Sequence, residues 1–393
     1  MSEIAIAIVL LSAAGMLGRT LLRVSSLNPG LNVRNLLITR MALSPGTLQD
    51  PERIRAAWRD VLDRARGVPG VESIAVVDTV PMREGNNPLG YWTDPAVPPE
   101  NKLPIALTTS VTPDYLKVTG IPLREGRFFD DRDRMRSEPV VVIDDVLARH
   151  AFAGQEAVGK RLWLPDMGWG PVRVVGVVGH VRYWGLAGDD QAQVRAQLYY
   201  PFAQVPDRFV RRWSELMSLA VRTKVPPLNI VEPLRRSLRG ASNDQVLYEV
   251  HTMEQLARDS IARQRFLLVL FGIFAGLALL LACVGIYGVL AYLANQRVSE
   301  FGVRIALGAS SRDVMHLVLR HSLGMIFLGV GLGTLGALGG GLILQRLVEG
   351  MQHTGPLTFA IMIPVMLIAA LLASVIPARR ASRVDPLTAL RQE

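Results

Sequence analysis

Three long stretches without a formal charge lie in the last third of the chain, and they constrain its fold more than any other feature. With histidine counted as neutral, they run over residues 266–296, 321–345 and 351–378. A helix that crosses about 30 Å of hydrocarbon needs roughly 20 mostly apolar residues. Each stretch meets that length, so the sequence predicts three membrane-spanning helices in this part of the chain.

A shorter apolar segment near the start of the chain, residues 4–17, continues past Arg19 to Leu22. The long side chain of Arg19 can reach the membrane interface, so we predict a further span over residues 1–23 and four spans in all. A secretory signal peptide is the alternative interpretation. Against it, the start Met-Ser-Glu lacks a basic region, and no convincing cleavage site follows.

The arginines near the apolar stretches indicate the orientation of the chain. Four lie between the second and third spans and four in the C-terminal tail: Arg297, Arg304, Arg312, Arg320, Arg379, Arg380, Arg383 and Arg391. Because cytoplasmic loops carry an excess of Lys and Arg, we predict that residues 297–320 and the tail 379–393 are cytoplasmic. An even number of spans then places the N-terminus inside and residues 24–262 outside. Arg19 and Arg23 fall on the outer side in this arrangement, but long domains translocate largely regardless of charge.

The region between the first two spans alternates strand and helix patterns. A strand pattern over residues 36–43 is followed by a capped helix start at Asp50 and by a second strand pattern over residues 71–77. The same order returns near the end of the region, over residues 216–250. Two strand–helix–strand units that bracket a long insert predict a split α+β domain over residues 24–251.

A capping-box pattern joins this domain to the second span. Thr252 and Gln255 have the spacing of that pattern, which predicts a stalk helix over residues 252–265. Such a helix would run continuously into the three-span region, residues 266–393. It would tie the position of the exported domain to the membrane helix.

The charged segment between the second and third spans has the features of a folded element. One helical face carries apolar side chains, namely Val298, Phe301 and Ile305. Glu300 and Arg304 are spaced for an ion pair on that helix, and Gly308 stops it. Ser310 and Asp313 then form a capping box that starts the next helix. Two interpretations stay open at this point: an ordinary helical turn with a solvated charged face, and a docking site for a soluble partner.

Patterns that mimic nucleotide-binding sites have simpler explanations. Residues 154–160 (GQEAVGK) fit a phosphate-binding loop, but Arg161 stands where a Ser or Thr is required, so we predict a plain turn. Residues 331–336 (GLGTLG) match a dinucleotide fingerprint but lie in an apolar span. Small residues there predict close helix packing, as does the four-residue spacing of three glycine pairs: Gly329 and Gly333, Gly336 and Gly340, and Gly272 and Gly276.

The remaining polar candidates also have structural explanations. The six histidines show no metal-ligand spacing, and we interpret His180 as a satisfied or exposed side chain. Asp144 and Asp145 follow a strand, where a helix cap explains them. The one cysteine, Cys283, excludes an intrachain disulfide. The net charge of +9 reflects arginines that flank the spans and does not indicate nucleic-acid binding. The sequence thus indicates no catalytic group, cofactor or metal.

Several segments resemble one known family. Residues 301–314 (FGVRIALGASSRDV) resemble the cytoplasmic loop of MacB/FtsX-like permeases of ABC transporters, and residues 377–391 (PARRASRVDPLTALR) resemble their C-terminus. Residues 114–129 (DYLKVTGIPLREGRFF) and 174–186 (VVGVVGHVRYWGL) resemble their periplasmic core domain. Residues 3–31 resemble a first span followed by the start of that domain. The resemblance covers nearly the whole chain and is close to the second half of duplicated permeases.

The resemblance implies a multi-pass protein of the bacterial plasma membrane. It implies one span, a large extracytoplasmic domain of porter-like split βαβ lobes with an inserted lobe, and an FtsX-like domain with three spans. It also implies that two permease copies, or this chain and a paralogue, bind an ABC ATPase dimer at the cytoplasmic face. ATP hydrolysis on that partner would move the extracytoplasmic domain, with no catalysis by this chain. A periplasmic or outer-membrane partner is compatible with the same layout. By the same resemblance, we expect six residues of this loop to make the coupling contact with the ATPase: Glu300, Phe301, Arg304, Leu307, Gly308 and Arg312.

Two departures from the family keep other functions open. Only three residues precede Ile4, where many relatives have an amphipathic helix, and the chain has no credible ATPase motif. A truncated, inactive half-permease is therefore one alternative. A membrane-anchored envelope sensor or binding protein that acts without ATP is another. No residue pattern indicates the cargo, the ATPase, or whether the permease pair is homomeric.

Overall fold

A computed structural model describes residues 2–83, 87–94, 103–168, 170–239, 246–296, 324, 327–340, 343 and 356–381. The chain divides into two compact units, which we call the sheet unit, Ser26–Ile261, and the helical unit, Met1–Ser25 with Ala262–Glu393. The α-helices are α1 (Ser2–Ser25), α2 (Pro51–Arg66), α3 (Tyr115–Thr119), α4 (Asp145–Phe152), α5 (Gly185–Gly188), α6 (Asp207–Ser214), α7 (Val231–Leu238), α8 (Met253–Asp259), α9 (Ala262–Gln296), α10 (Phe327–Gly340) and α11 (Pro356–Ala381). The strands are β1 (Leu36–Ala42), β2 (Val71–Val77), β3 (Pro88–Gly90), β4 (Ile105–Val111), β5 (Leu123–Gly126), β6 (Val140–Asp144), β7 (Arg161–Leu162), β8 (Val172–Val178), β9 (Gln197–Pro201), β10 (Ser218–Thr223) and β11 (Val246–Thr252). Short 3₁₀ turns lie at Thr47–Gln49, Pro165–Met167, Asp189–Gln191, Phe202–Gln204 and Pro227–Ile230.

The eleven strands in the described part of the chain belong to one mixed sheet. Their order is β11-β1-β10-β2-β4-β9-β6-β8-β5, with β3 beside β4 and β7 beside β8. The two predicted strand–helix–strand units, β1–α2–β2 and β10–α7–β11, interleave in this sheet. Strand β10 lies antiparallel between β1 and β2, and β1 lies antiparallel between β10 and β11. This confirms the split α+β prediction for these elements.

Helix α2 illustrates why the local prediction succeeded. The Asp50 carboxylate accepts a hydrogen bond from the Glu52 amide at 2.8 Å, and Pro51 occupies the first helical position. These groups satisfy the free donors at a helix start, so the cap can be recognised from sequence. The apolar stripe of the helix is buried, and the Trp58 indole N–H donates to the Ser214 hydroxyl at 2.8 Å.

The insert between the two units, which the family resemblance implies is an inserted lobe, contributes its strands to the same sheet. Its strands β4, β9, β6, β8 and β5 extend the same sheet, which crosses from β2 to β4 through a single residue pair, Val77 and Val111. Apolar clusters cover both faces of the sheet, and all five residues of β6 are buried. A strand buried on both faces is almost continuously apolar. The sequence therefore revealed β6 and β8 as strands but not their place in the sheet.

Asp78 is a buried carboxyl group at this crossing point. It accepts hydrogen bonds from the Ser110 amide and the Thr79 hydroxyl, each at 2.9 Å, and the Tyr200 hydroxyl lies 3.5 Å from its other oxygen. Burial raises the pKa of Asp78 to about 7, although the hydrogen bonds oppose the rise. The unfolded carboxyl group ionises at a pH of about 4, whereas the folded one keeps its proton up to a pH of about 7, so the free energy of unfolding falls as pH rises between these two values.

The predicted stalk helix of residues 252–265 is in two pieces. Helix α8 begins with the predicted capping box, in which Thr252 and Gln255 exchange hydrogen bonds of 3.2 and 2.8 Å. It ends at Asp259, and two residues separate it from α9. The Ser260 hydroxyl donates to the carbonyl group three residues before it at 2.8 Å, and such local bonds compete with the helical pattern. A capping pattern marks where a helix starts, and it did not reveal this interruption.

The helical unit contains α1, α9, α10 and α11 among the described residues. Two of these helices are long and apolar enough to cross a membrane: α1 and the Ala262–Tyr292 part of α9. Helix α10 and the apolar part of α11, Met362–Val375, are shorter. The count of four spans and the domain boundaries drawn from it therefore stay predictions.

Glycines allow α1 and α10 to pack closely within the helical unit. A Cβ atom added to Gly333 would lie 2.8 Å from the Ile8 Cβ atom and 3.0 Å from the Ala5 backbone. Gly329, one helical turn earlier, meets the Ile4 side chain at 2.8 Å in the same way. The close packing predicted for this glycine pair is confirmed, whereas Gly272 and Gly276, for which the same prediction was made, have no described atom within 4 Å of an added Cβ. The glycine pattern that mimics a dinucleotide fingerprint lies inside α10 and forms no nucleotide-binding turn.

We expect Gly333→Ala to lower the melting temperature of the full chain in detergent, because the added methyl group overpacks α1 at a cost of about 1–3 kcal/mol. Gly331→Ala is the matched control: it lies on the same helix and has no atom within 4 Å of an added Cβ among the described residues. Alanine favours a helix over glycine by up to about 1 kcal/mol, so the control should melt at the same or a higher temperature. Equal shifts in the two variants would contradict the packing described above.

Candidate functional site

The six residues predicted to contact an ATPase lie outside the described residues: Glu300, Phe301, Arg304, Leu307, Gly308 and Arg312. Their role stays a prediction. The structure does describe the part of the sheet unit where the chain enters and leaves it. Any motion that reaches this unit along the chain must pass through that part.

Strands β1 and β11 bring the two ends of the sheet unit together. They pair antiparallel, so that Leu37 near the start of β1 lies opposite Thr252 at the end of β11. We call residues 26–35, which precede β1, the incoming segment, and residues 252–261 the outgoing segment. The two segments therefore leave neighbouring strands at the same end of the sheet.

Arg222 on β10 ties the incoming segment to the region of α3. Its guanidinium group donates to the carbonyl oxygens of Asn32 and Val118, each at 2.8 Å, and to that of Arg34. The Asn32 amide also donates to the Thr119 carbonyl at 2.8 Å. Because this buried cation donates hydrogen bonds to three backbone carbonyl groups, it fixes the path of the backbone in the incoming segment. Arg222 is not evident from the sequence, because β10 has the pattern of an ordinary strand.

A second tie comes from residues 179–186, which follow β8 and which we call the crossing loop. The Arg182 amide donates to the Pro29 carbonyl of the incoming segment at 3.0 Å. Next to it, Gly30 has a φ of +84°, and a Cβ atom at that position would overlap the His180 carbonyl oxygen. Glycine is required there both for its positive φ and for the close approach of the two backbones.

The crossing loop also touches the outgoing segment. Gly185 has a φ of +90°, and a Cβ atom added to it would lie 3.0 Å from the Ser260 Cβ atom. The Leu186 amide donates to the Ser260 hydroxyl at 3.4 Å, which is long for a hydrogen bond. One loop therefore contacts both connections of the sheet unit.

Apolar packing joins the same three segments. Leu31 of the incoming segment, Val181 of the crossing loop, and Met253 and Leu256 of the outgoing segment are buried in one cluster. A fully buried side chain of this size contributes about 1.5–3 kcal/mol, and a hydrogen bond contributes about 0.5–1.5 kcal/mol. Packing therefore holds the outgoing segment more firmly than the long hydrogen bond to Ser260 does.

His180 contacts two buried carboxylates, of which Asp144 anchors the crossing loop to the sheet and Asp189 lies in the turn just after α5. Its Nδ1 lies 2.6 Å from Asp144 Oδ2 and its Nε2 lies 2.9 Å from Asp189 Oδ2, and both aspartate side chains are fully buried. Asp144 ends β6 and also accepts hydrogen bonds from the Leu147 amide at 2.8 Å and the Gln197 amide at 3.0 Å. The histidine ring is thus held on one side by a carboxylate of the sheet and on the other by a carboxylate of the turn at Asp189–Gln191.

Burial alone would lower the pKa of His180, but the hydrogen bonds and charges of Asp144 and Asp189 raise it to about 9. Further charges surround the pair: Arg195 lies 3.5 Å from Asp189, and Arg182 lies 3.1 Å from Asp190. Burial also raises the pKa of Asp144, which its hydrogen bond to His180 opposes. Two carboxylates facing one ring favour a charged imidazolium at neutral pH.

The geometry favours a structural role for His180 over a chemical one. Both ring nitrogens are bonded to carboxylates, so neither is available to a metal or a substrate. In the described part of the chain, no three His, Cys, Asp or Glu side chains are placed to hold a metal ion. Residues 154–160 form a turn between α4 and β7, which confirms that the phosphate-loop pattern there is coincidental.

Two members of this cluster, His180 and Asp144, stand out in the sequence, but Asp189 and the contacts among the three residues do not. His180 is satisfied and Asp144 caps α4, and both predictions are confirmed. Their contact was missed because 36 residues separate them. Strands β6 and β8 pair in parallel, with Asp144 opposite Val178. Their carboxyl ends therefore meet at one edge of the sheet, and only a prediction of that pairing could have joined the two residues.

Comparisons with known proteins match both units of the chain. The family described as MacB-like periplasmic core domain matches residues 1–235, and the family described as FtsX-like permease C-terminal matches residues 272–386. The macrolide export ATP-binding/permease protein MacB 2 of Aeromonas hydrophila subsp. hydrophila is 25% identical over 302 residues, which cover 75% of this chain and 44% of that protein. The MacB protein of Rhodospirillum rubrum is 26% identical over 377 residues, covering 91% of this chain and 56% of that protein. This chain therefore spans about half the length of these relatives.

Two further comparisons concern a shorter relative and a solved structure. The uncharacterized ABC transporter permease YknZ of Bacillus subtilis is 23% identical over 294 residues, which cover 73% of this chain and 70% of that protein. The crystal structure of the periplasmic region of MacB from Actinobacillus actinomycetemcomitans covers 60% of this chain and 97% of its own, with 17% identity and a TM-score of 0.39.

Proposed function

We propose that this chain, which belongs to the MacB/FtsX-like permease family, serves as a membrane permease subunit of an ABC-type transporter. The observation that carries the proposal is that family matches cover both of its units, in the order periplasmic core domain then permease C-terminal domain. Relatives with names that include ABC permease or ATP-binding/permease protein support the same function.

In this proposal, ATP hydrolysis takes place on a separate ABC ATPase subunit at the cytoplasmic face. The loop of residues 297–320 supplies the coupling contact, through the six residues named above. The chain itself performs no catalysis, needs no cofactor and acts with a second permease copy or a paralogue. A periplasmic or outer-membrane partner completes the assembly in this scheme.

The same proposal places the chain in the bacterial plasma membrane with four spans. Both termini are cytoplasmic and residues 24–262 are extracytoplasmic. Hydrolysis by the partner then moves the sheet unit through its incoming and outgoing segments. The cargo or regulated process is not part of the proposal, since neither the residues nor the geometry indicate one.

We expect Glu300→Arg to reduce the amount of ATP-binding subunit that co-purifies with the full chain in mild detergent by at least roughly tenfold. Reversing a charge inside an interface leaves like charges facing each other, and loss of such a pair costs about 2–5 kcal/mol. Glu156→Arg is the control, because it makes the same change of charge at an exposed position of the sheet unit. If no ATP-binding subunit co-purifies with either Glu300→Arg or Glu156→Arg, the result counts against the proposal. It would instead favour a sensor that acts without ATP.

Orientation is tested by single cysteines in a Cys283→Ala background. A membrane-impermeant maleimide should label Arg59→Cys, an exposed site of the sheet unit, on intact cells. It should label Ser310→Cys only after the cells are opened, because positively charged loops remain in the cytoplasm. Labelling of Ser310→Cys but not Arg59→Cys on intact cells would overturn the proposed orientation.

A further inference from the structure

We propose that His180 is a positioning residue that locks the crossing loop to the sheet, so that the incoming and outgoing segments move as one body with the sheet unit. The inference rests on the proposed function in one respect: a rigid link has a mechanical use only if motion enters through these segments. No residue of the crossing loop contacts a substrate in this proposal.

The position of His180 within the crossing loop gives it this role. Its own carbonyl oxygen is the atom that Gly30 approaches, and the Arg182 amide two residues later bonds to Pro29. Gly185, on the far side of the loop, packs against Ser260. A displacement of His180 therefore disturbs contacts with both the incoming and the outgoing segment. A displacement at one end of the crossing loop disturbs contacts with only one of these segments.

The strength of the anchor comes from two carboxylates that water does not reach. Asp144 and Asp189 are fully buried, and His180 is their shared cationic partner. Arg195 also faces Asp189, but at 3.5 Å and with a partly exposed side chain. Removal of the His180 charge would leave Asp189 with Arg195 as a weak cationic partner, and Asp144 with the Leu147 and Gln197 amides but no cation. Such a site is expected to open and admit water, which would release the loop.

A pH profile separates this role from simple packing. The folded pKa of His180 lies above its unfolded value of about 6.5, so the anchor is complete below about 6.5 and is lost as pH rises through about 9. The charged groups that face it are Asp144 and Asp189, with Arg195, Asp190 and Arg182 around them. Asp78 titrates near pH 7, so measurements between pH 8 and 10 avoid its contribution.

The test is hydrogen–deuterium exchange of the full chain in detergent, with labelling times corrected for the pH dependence of the intrinsic rate. We expect His180→Gln to speed exchange in residues 26–35 and 252–261 by roughly tenfold or more, because local opening governs exchange there. Strands β2 and β10 should keep their protection. The wild type should lose protection in the same two segments as pH rises through about 9, and His180→Gln should show no such transition. His150→Gln, an exposed change on α4, is the matched control and should behave as wild type.

Unchanged exchange in either segment of His180→Gln, or a pH transition that persists in that variant, would overturn the inference. If His180→Gln fails to fold, Asp189→Asn replaces it. Removing one of the two carboxylates lowers the pKa of His180, so the loss of protection should move to lower pH, and an unmoved transition would overturn the inference. None of these measurements requires an ATPase. Failure of the proposed function would appear in the co-purification experiment, independently of the result obtained by exchange.

Discussion

The antiparallel pairing of β1 with β11 is the constraint on which the rest of the sheet unit depends. It places Leu37 beside Thr252 and so brings the start and the end of a 236-residue unit to one place. Once the two connections are neighbours, a single loop after β8 can contact both of them. Leu31, Val181 and Met253 can then share one hydrophobic cluster, although they are far apart in sequence. In the proposed function, this convergence lets the sheet unit respond as one piece to motion that arrives along the chain.

The charged cluster around His180 adds specificity more than stability. A buried ion pair gains little over apolar residues of the same volume, because desolvation of the charges offsets their attraction. Breaking such a pair is costly, since a charge is left buried without its partner. The cluster therefore acts against displacement of the crossing loop rather than as a source of folding energy. The apolar packing of the same segments supplies that energy, which explains why the loop needs both.

The features that could be predicted from the sequence are those formed by residues close to one another in the chain. Asp50 and Thr252 cap helices with neighbours two or three residues away, so α2 and the start of α8 could be located. The interleaved units followed from the repeated order of strands and helices. The order of the inserted strands could not be predicted, because pairs such as β4 with β9 join residues far apart in sequence, such as Leu107 and Gln197. For the same reason the contact between His180 and Asp144 was missed. The interruption of the stalk helix at Ser260 was also missed, because it depends on a single side-chain hydrogen bond that has no distinctive sequence pattern.

A fixed spacing between the incoming and outgoing segments is the central consequence of the proposed rigid link. It is tested most directly by pulsed electron paramagnetic resonance on the full chain, with Cys283 replaced and spin labels on Arg34→Cys and Glu254→Cys, both exposed positions. The distance between the labels should be measured with the co-purified ATP-binding subunit, in the absence of nucleotide and in the presence of ATP. The account predicts one narrow distance distribution that is the same in both states. A shift of the distribution, or a second population that appears with ATP, would contradict it.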